Sequence, residues 1–367
     1  VRIVWAVPVA GAALVLVAAW APRSPAQDPS GGFRFCGSGG CGTKDCHGSP
    51  APKESPALNE YLLWKEKDKH AKAFLTLYRG PSKEIGKKLG IDKPHEAPAC
   101  LACHSQPLEK ERLAEKSTWS IRDGVSCESC HGPAEKWFEA HSKPAEGARA
   151  KYLTQGMADL RDPAVWAATC AGCHLKIDGK LIEAGHPRLL FEWSDYSERM
   201  PPHWLTAKHP AAQPEFRAKG WAVGQAVSLA AALRNLAARI RAGESEGSIA
   251  EARQVAASHY RVLMPEGVRA EEIAETDADK LEATAERAGK VAASPEGVLA
   301  RLASEPPPSD FAGARQVALA FRALGVKPEA KADVDRLCAL VAPSAAGGFD
   351  AAKFAGDFAA VAAHFKR

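Results

Sequence analysis

Apolar and polar positions alternate with different rhythms along the chain. Behind Arg2, residues 3–21 form one nearly unbroken apolar run. Between 58 and 79, Leu63, His70, Phe74 and Leu77 fall on one face at helical spacing, which predicts a single helix ended by Gly80-Pro81. From 81 to 215 long periodicity fades, broken by many prolines. A short helix predicted over 134–141 sets Trp137 and His141 four apart, hence on one face. From Gly220 onward the helical rhythm returns. Leu229, Leu233, Leu236 and Ile240 form one stripe, Val334, Leu337, Cys338 and Val341 a second, and Phe354, Phe358, Val361 and Phe365 a third. Prolines and glycines at 265–267 and 305–308 divide these runs. The pattern predicts a bundle of about five helices over 220–367. One of them, acidic and basic near 269–292, is expected to be solvent-exposed over most of its surface. No strand signal is long enough to name, so the expected fold class is mainly α.

The first apolar run is followed at once by small residues and prolines. Ala19-Trp20-Ala21 and Ser24-Pro25-Ala26 both fit a small-x-small cleavage site, so residues 1–26 read as a secretory signal peptide. An uncleaved membrane anchor is the alternative, because the run is also near the length of a span. No lipobox surrounds Cys36, which follows Phe33-Arg34-Phe35. Either way the chain is expected outside the cytoplasm, in the periplasm or otherwise exported. Residues 27–57 are rich in Gly, Pro and Ser and read as an extended lead.

The cysteines lie mostly in the part without periodicity. Cys100-Leu101-Ala102-Cys103-His104, Cys127-Glu128-Ser129-Cys130-His131 and Cys170-Ala171-Gly172-Cys173-His174 are three C-x-x-C-H segments, the attachment signature of c-type haem. Two thiols three residues apart lie on one side of a helical turn, so both can form thioethers to one porphyrin. The next residue then offers an imidazole to the iron. Zinc also binds C-x-x-C, but it takes four ligands from paired knuckles and has no use for a histidine fixed after every second cysteine. Upstream, Cys41 and Cys46-His47 make a C-x-x-x-x-C-H variant whose two extra residues can bulge out, helped by Gly42. A glycine-rich loop with a disulfide from Cys36 to Cys41 or Cys46 is the alternative there. Cys36 and Cys338 are left over. Four covalent haems c are therefore expected over 36–215, on Cys41/Cys46, Cys100/Cys103, Cys127/Cys130 and Cys170/Cys173, with His47, His104, His131 and His174 as first axial ligands. Short helices and loops packed on the porphyrins would replace much of the ordinary core there.

Composition adds little. The chain has 367 residues, enough for about two domains. It is 46% hydrophobic and 25% charged, with a formal net charge of +4. Propionates would offset part of that, and no long basic run suggests nucleic acid. Methionine is scarce, at three residues, so second axial ligands are expected to be histidines, a pairing that supports lower potentials than His/Met. His70, set in an apolar helical face, and His141, sharing a face with Trp137, are favoured. His186 sits in Gly185-His186-Pro187-Arg188, where proline fixes the backbone and Arg188 can meet a propionate. His203, in Pro201-Pro202-His203-Trp204, reads either as a ligand or as a structural residue. His95, His209 and His364 read as solvated or packing residues.

Trp64, His70-Ala71, the Cys100–His104 segment, the run from Val125 through His131 to Gly132-Pro133-Ala134, then Trp137, His141 and Gly185-His186-Pro187-Arg188 together resemble the multihaem cytochromes of the cytochrome c-554 type. The resemblance covers 36–215. It implies a mainly helical fold with haems in closely stacked pairs, electron carriage in the periplasm, and His70, His141 and His186 as distal ligands. In the type member one iron is five-coordinate. Larger relatives carry a further haem segment where this chain reads Val255-Ala256-Ala257-Ser258-His259-Tyr260, without either thiol. His259 is read as an ordinary helical residue rather than as a remnant of that site.

Two functions fit these residues. The first is an electron carrier that exchanges electrons with redox partner proteins and needs no further catalytic group. The second is a haem enzyme acting on a small nitrogen or oxygen species at a five-coordinate iron. No Ser-His-Asp, paired-carboxylate or nucleotide-loop arrangement supports other chemistry, and no catalytic residue is named.

Overall fold

The computed structural model describes residues 32–51, 58–142, 147–203, 214–290, 295–325 and 327–366. The signal-peptide reading of 1–26, part of the 27–57 lead, and His209 lie outside them. Among the described residues the chain is mainly helical, and its β structure is one isolated bridge between Phe35 and Leu113. No described helix is long and apolar enough to cross a membrane.

The single helix expected over 58–79 is broken. Glu60–Lys67 is helical, a 3-10 turn spans His70–Lys72, and Ala73–Thr76 forms one more turn. Asp68 causes the break. Its backbone is extended (φ −80°, ψ 131°), and its carboxylate accepts from the His70 backbone N–H at 2.9 Å, a local bond that competes with helix continuation. Gly80-Pro81 does not end a helix but opens one, Gly80–Leu89, with proline at a position where a missing N–H costs nothing. The helix expected over 134–141 is a run of turns closed by a 3-10 turn at Ala140–Ser142. Trp137 and His141 still share a face there, their rings 5.2 Å apart.

The second half contains more helices than the periodicity suggested. They are Pro214–Arg241, Glu246–Leu263, Ala270–Ile273, Ala278–Lys290, Val298–Ser304, Phe311–Ala323, Lys331–Leu340 and Ala351–Ala363. The segment read as one helix near 269–292 is thus two. Its longer piece is amphipathic and buries Leu281, Thr284, Ala285 and Ala288 against Pro214–Arg241. Each stripe does form a buried seam. Leu229, Leu233 and Leu236 lie in one cluster, and Val334, Leu337, Val341, Phe354, Phe358 and Val361 in another. Burying a large apolar side chain contributes about 1.5–3 kcal/mol, so these seams carry the bundle.

Pro214–Arg241 is also the element that joins the two halves. It packs on Pro163–His174, the helix that ends in the last C-x-x-C-H segment. Close by, Asp195 and Arg315, each 4% exposed, pair at 2.6 Å, and Arg322 reaches the same carboxylate at 2.6 Å.

Candidate haem-binding site

Each C-x-x-C-H segment is the last turn or so of a helix. Pro98–His104 and Pro163–His174 both open with proline, and the second is capped by Asp162, which accepts from the Ala164 N–H at 2.8 Å. Cys127–His131 is the third. The helical turn places the two thiols on one side, as the motif requires. Gly132 follows at φ 82° with its α-carbon turned towards the Gly156 carbonyl, so that a Cβ there would collide with backbone.

The first site solves its extra length by looping. Ser38–Cys41 is helical, Cys46 N–H donates to the Thr43 carbonyl at 3.0 Å, and His47 N–H returns to the Cys41 carbonyl at 3.0 Å. In an ordinary C-x-x-C-H turn the histidine N–H bonds the first cysteine's carbonyl four residues back. Here the same bond spans six residues, and the intervening turn absorbs the excess. Each of the ten cysteines is unpaired, so the disulfide alternative for Cys36 is not formed. Among the described residues no group of three or more His, Cys, Asp or Glu converges to hold a metal on its own.

The eight histidines singled out come together as four facing pairs. His47 faces His141 at 6.0 Å between ring centroids, His104 faces His186 at 6.1 Å, His174 faces His70 at 6.1 Å, and His131 faces His203 at 6.3 Å. A metal bonded on both sides by imidazole nitrogens at about 2 Å each holds two ring centroids about 6 Å apart. Each pair joins a C-H histidine to one remote in sequence.

The ring nitrogens are sorted accordingly. His70 Nδ1 donates to Asp68 Oδ1 at 3.0 Å and His47 Nδ1 to Glu60 Oε2 at 2.8 Å. His104, His141, His186 and His203 donate Nδ1–H to the carbonyls of Ala73, Trp137, Pro187 and Pro201 at 2.9–3.2 Å. With Nδ1 so engaged, Nε2 keeps its lone pair for a metal, and the outer partner fixes the ring's orientation. Burial pushes the pKa of His131 and His174 down to about 4, which keeps both neutral, the form that ligates. Both carboxylate partners are held below their usual range, Asp68 by His70 and Glu60 by His47, against the opposing effect of burial.

Three carboxylates around these segments escaped the sequence reading. Asp68 and Glu60 orient ring nitrogens. Glu128, inside the third segment and 3% exposed, accepts from Cys36, Gly37 and Ala134 N–H groups at 3.0, 2.6 and 2.7 Å. The spacing Asp68-x-His70 is the one signal that could have been read, as an Asx-type turn. Arg188, expected near a propionate, pairs with Glu251 of the bundle at 3.2 Å. His95 stacks on Tyr78 at 4.3 Å, and His364 bonds Asp333 at 2.8 Å.

The spatial order of the sites differs from their order in sequence. The Cys41 and Cys127 thiols lie close enough to perturb each other, as do Cys103 and Cys173. Cys130 stands close enough to Cys170 and Cys173 to raise both. The row therefore runs from His47 to His131, then His174, then His104. Facing imidazoles with flanking thiols and engaged Nδ1 atoms fit covalent haem c at these positions.

Residues 41–132 match the profile of the family described as cytochrome c554 and c-prime. Over 123 residues, 32% of this chain, the sequence is 28% identical to cytochrome c-554 of Nitrosomonas europaea, and the match covers 52% of that protein. The chain thus spans about half the length of this curated relative. No solved structure matches it.

Proposed function

We propose that this chain, a c-type cytochrome of the cytochrome c-554 type, carries electrons between redox partner proteins through four covalently attached haems c, in the periplasm or an equivalent exported compartment. Haem c supplies one-electron chemistry at iron when bound. The residues of the chain do the rest. Cys41/Cys46, Cys100/Cys103, Cys127/Cys130 and Cys170/Cys173 would tether the porphyrins. His47, His104, His131 and His174 would hold the metals from the tethered side, and His141, His186, His203 and His70, in the same order, from the other.

The observation that carries this reading is the set of four facing histidine pairs at 6.0–6.3 Å. A histidine on each side of every site suits a carrier, because a metal held there would change charge with little rearrangement and no substrate would compete for it. An enzyme of the second kind needs one open position, and each tethered-side histidine here faces another. The adjacency of thiols from different segments supports a continuous row of sites, and a compartment outside the cytoplasm agrees with the leader reading and with thioether attachment there.

The test is the full chain matured in a bacterial periplasm. Intact mass should exceed the polypeptide by four haems, the oxidised protein should be wholly low-spin, and reduced protein should pass electrons to a small redox protein without consuming a nitrogen or oxygen substrate. A high-spin fraction that binds cyanide and turns over such a substrate would replace this reading with the enzymatic one.

A further inference from the structure

His174 and His259 line one cavity of about 60 Å³ between the last haem segment and the helical bundle. Each presents a buried ring nitrogen without a protein partner, Nδ1 of His174 and Nε2 of His259. A cavity this size holds one to a few waters where its walls are polar. Asn235, Arg239 and Ser258 contribute to those walls.

The protonation of His259 follows from a chain of amides anchored on a backbone carbonyl. The Phe191 carbonyl can only accept, so Gln316 turns its Nε2–H to it, at 3.1 Å. Gln316 Oε1 then accepts from Gln225 Nε2 at 3.1 Å, and the Glu192 carboxylate accepts from the same Gln225 nitrogen at 3.3 Å. Gln225 Oε1 is left to face His259 Nδ1, which must donate to it, at 2.7 Å. The lone pair of His259 therefore sits on Nε2, the orphaned atom. His174, ligating through Nε2, carries its proton on Nδ1, also orphaned. One atom is a donor and the other an acceptor, and they share a cavity.

We infer that a water site in this cavity accepts from His174 Nδ1–H and donates, directly or through a second water, to His259 Nε2, making His259 the positioning residue for this axial ligand. The inference rests on the haem reading of Cys170, Cys173 and His174. Six of the other ligands meet a carbonyl or carboxylate directly. His174 meets a polarised water instead, and the amide chain behind His259 fixes the sense of every hydrogen bond. An acceptor on Nδ1 raises the basicity of the ligand and favours the ferric state. The bundle thereby reaches one haem of the row without touching its iron.

The test is spectroelectrochemical titration of the four-haem protein and its variants. His259→Leu removes the acceptor, and one wave should move to higher potential by on the order of tenfold in the one-electron equilibrium, about 59 mV. His259→Gln, which keeps an acceptor oxygen, should return that wave towards its original position. Ala252→Val, filling the cavity while leaving His259 intact, should reproduce the shift and guards against a His259→Leu protein that fails to fold. With four haems present, unmoved waves in the variants that fold, or all waves moving together, overturn the inference alone. A chain with no haem on the Cys170–Cys173 peptide by mass overturns the haem reading and the inference with it.

Discussion

Glu128 Oε2 accepts the Gly37 N–H at 2.6 Å, so a side chain between the two cysteines of the third haem segment holds the backbone just ahead of the first. Its other oxygen accepts from Cys36 and Ala134 N–H groups. Burial raises the carboxyl's pKa, and these three donors oppose the rise. The residue thus fastens together two sites whose thiols, Cys41 and Cys127, lie close enough to perturb each other.

Glu128→Gln puts an amide NH₂ against one of three inward-facing N–H groups. The loss of that bond with its donor still buried should cost about 1–3 kcal/mol. Denaturant unfolding should show a lower midpoint at an unchanged slope. An unaltered midpoint would mean that the three bonds are replaceable by solvent.

His203→Ala should leave the iron on His131 with one axial ligand. The expected readout is a single high-spin component in the oxidised protein, about a quarter of the iron if four haems are bound, and new cyanide binding absent from the parent. Retention of a fully low-spin spectrum would show that a side chain other than His203 fills that position.

Asp68→Asn keeps an oxygen for His70 Nδ1–H but removes the charge. The ferric form loses a nearby anion, so the site shared by His174 and His70 should become easier to reduce, by on the order of tenfold or about 59 mV. Glu60→Gln should do the same at the site of His47 and His141. The two shifts should fall on different waves and add in the double variant. A shift of one common wave would contradict the pairing of the rings.

The C-x-x-C-H segments stand out in the sequence because thioether attachment would fix their spacing locally. The other histidines could be marked as candidates, but the rings they face could not be. His70 meets His174 across more than a hundred residues, and nothing in a linear pattern encodes that. The helix expected over 58–79 failed at Asp68 because a side chain to backbone bond outweighed an apolar stripe that was itself present. In the second half the stripes correctly marked buried faces, since helical burial has a period. Helix number was underestimated because the breaks between Ile273 and Ala278 and at Gly297, φ 72°, are set by backbone conformation rather than by the stripe. His259 read as ordinary, since its burial arises from helices far apart in sequence.

Arg315 donates to Asp195, Leu190 and Val341, tying the segment after the last haem site to the bundle. Arg315→Met leaves the 4%-exposed Asp195 with Arg322 and Arg199 but strips one buried partner. Breaking such a pair should cost about 3–5 kcal/mol, read as a lower unfolding midpoint by far-UV circular dichroism. A loss below about 1 kcal/mol would show that Arg322 takes over the charge.

Thiol counting tests the whole assignment at once. The chain has ten cysteines, and four haems consume eight, leaving Cys36 and Cys338. Burial pushes the Cys36 thiol up to about 12 and the Cys338 thiol up to about 11. Alkylation follows the thiolate, so near pH 8 both should stay almost unreactive in the native protein. Cys338 is further held by a contact with the Ala318 carbonyl at 3.5 Å. On unfolding, both pKa values fall back towards that of a free thiol and exactly these two positions should label, with peptide mass locating them. A third labelled site at Cys41 or Cys46 would mean that the longer C-x-x-x-x-C-H segment carries no haem, and the row of sites would lose its first member.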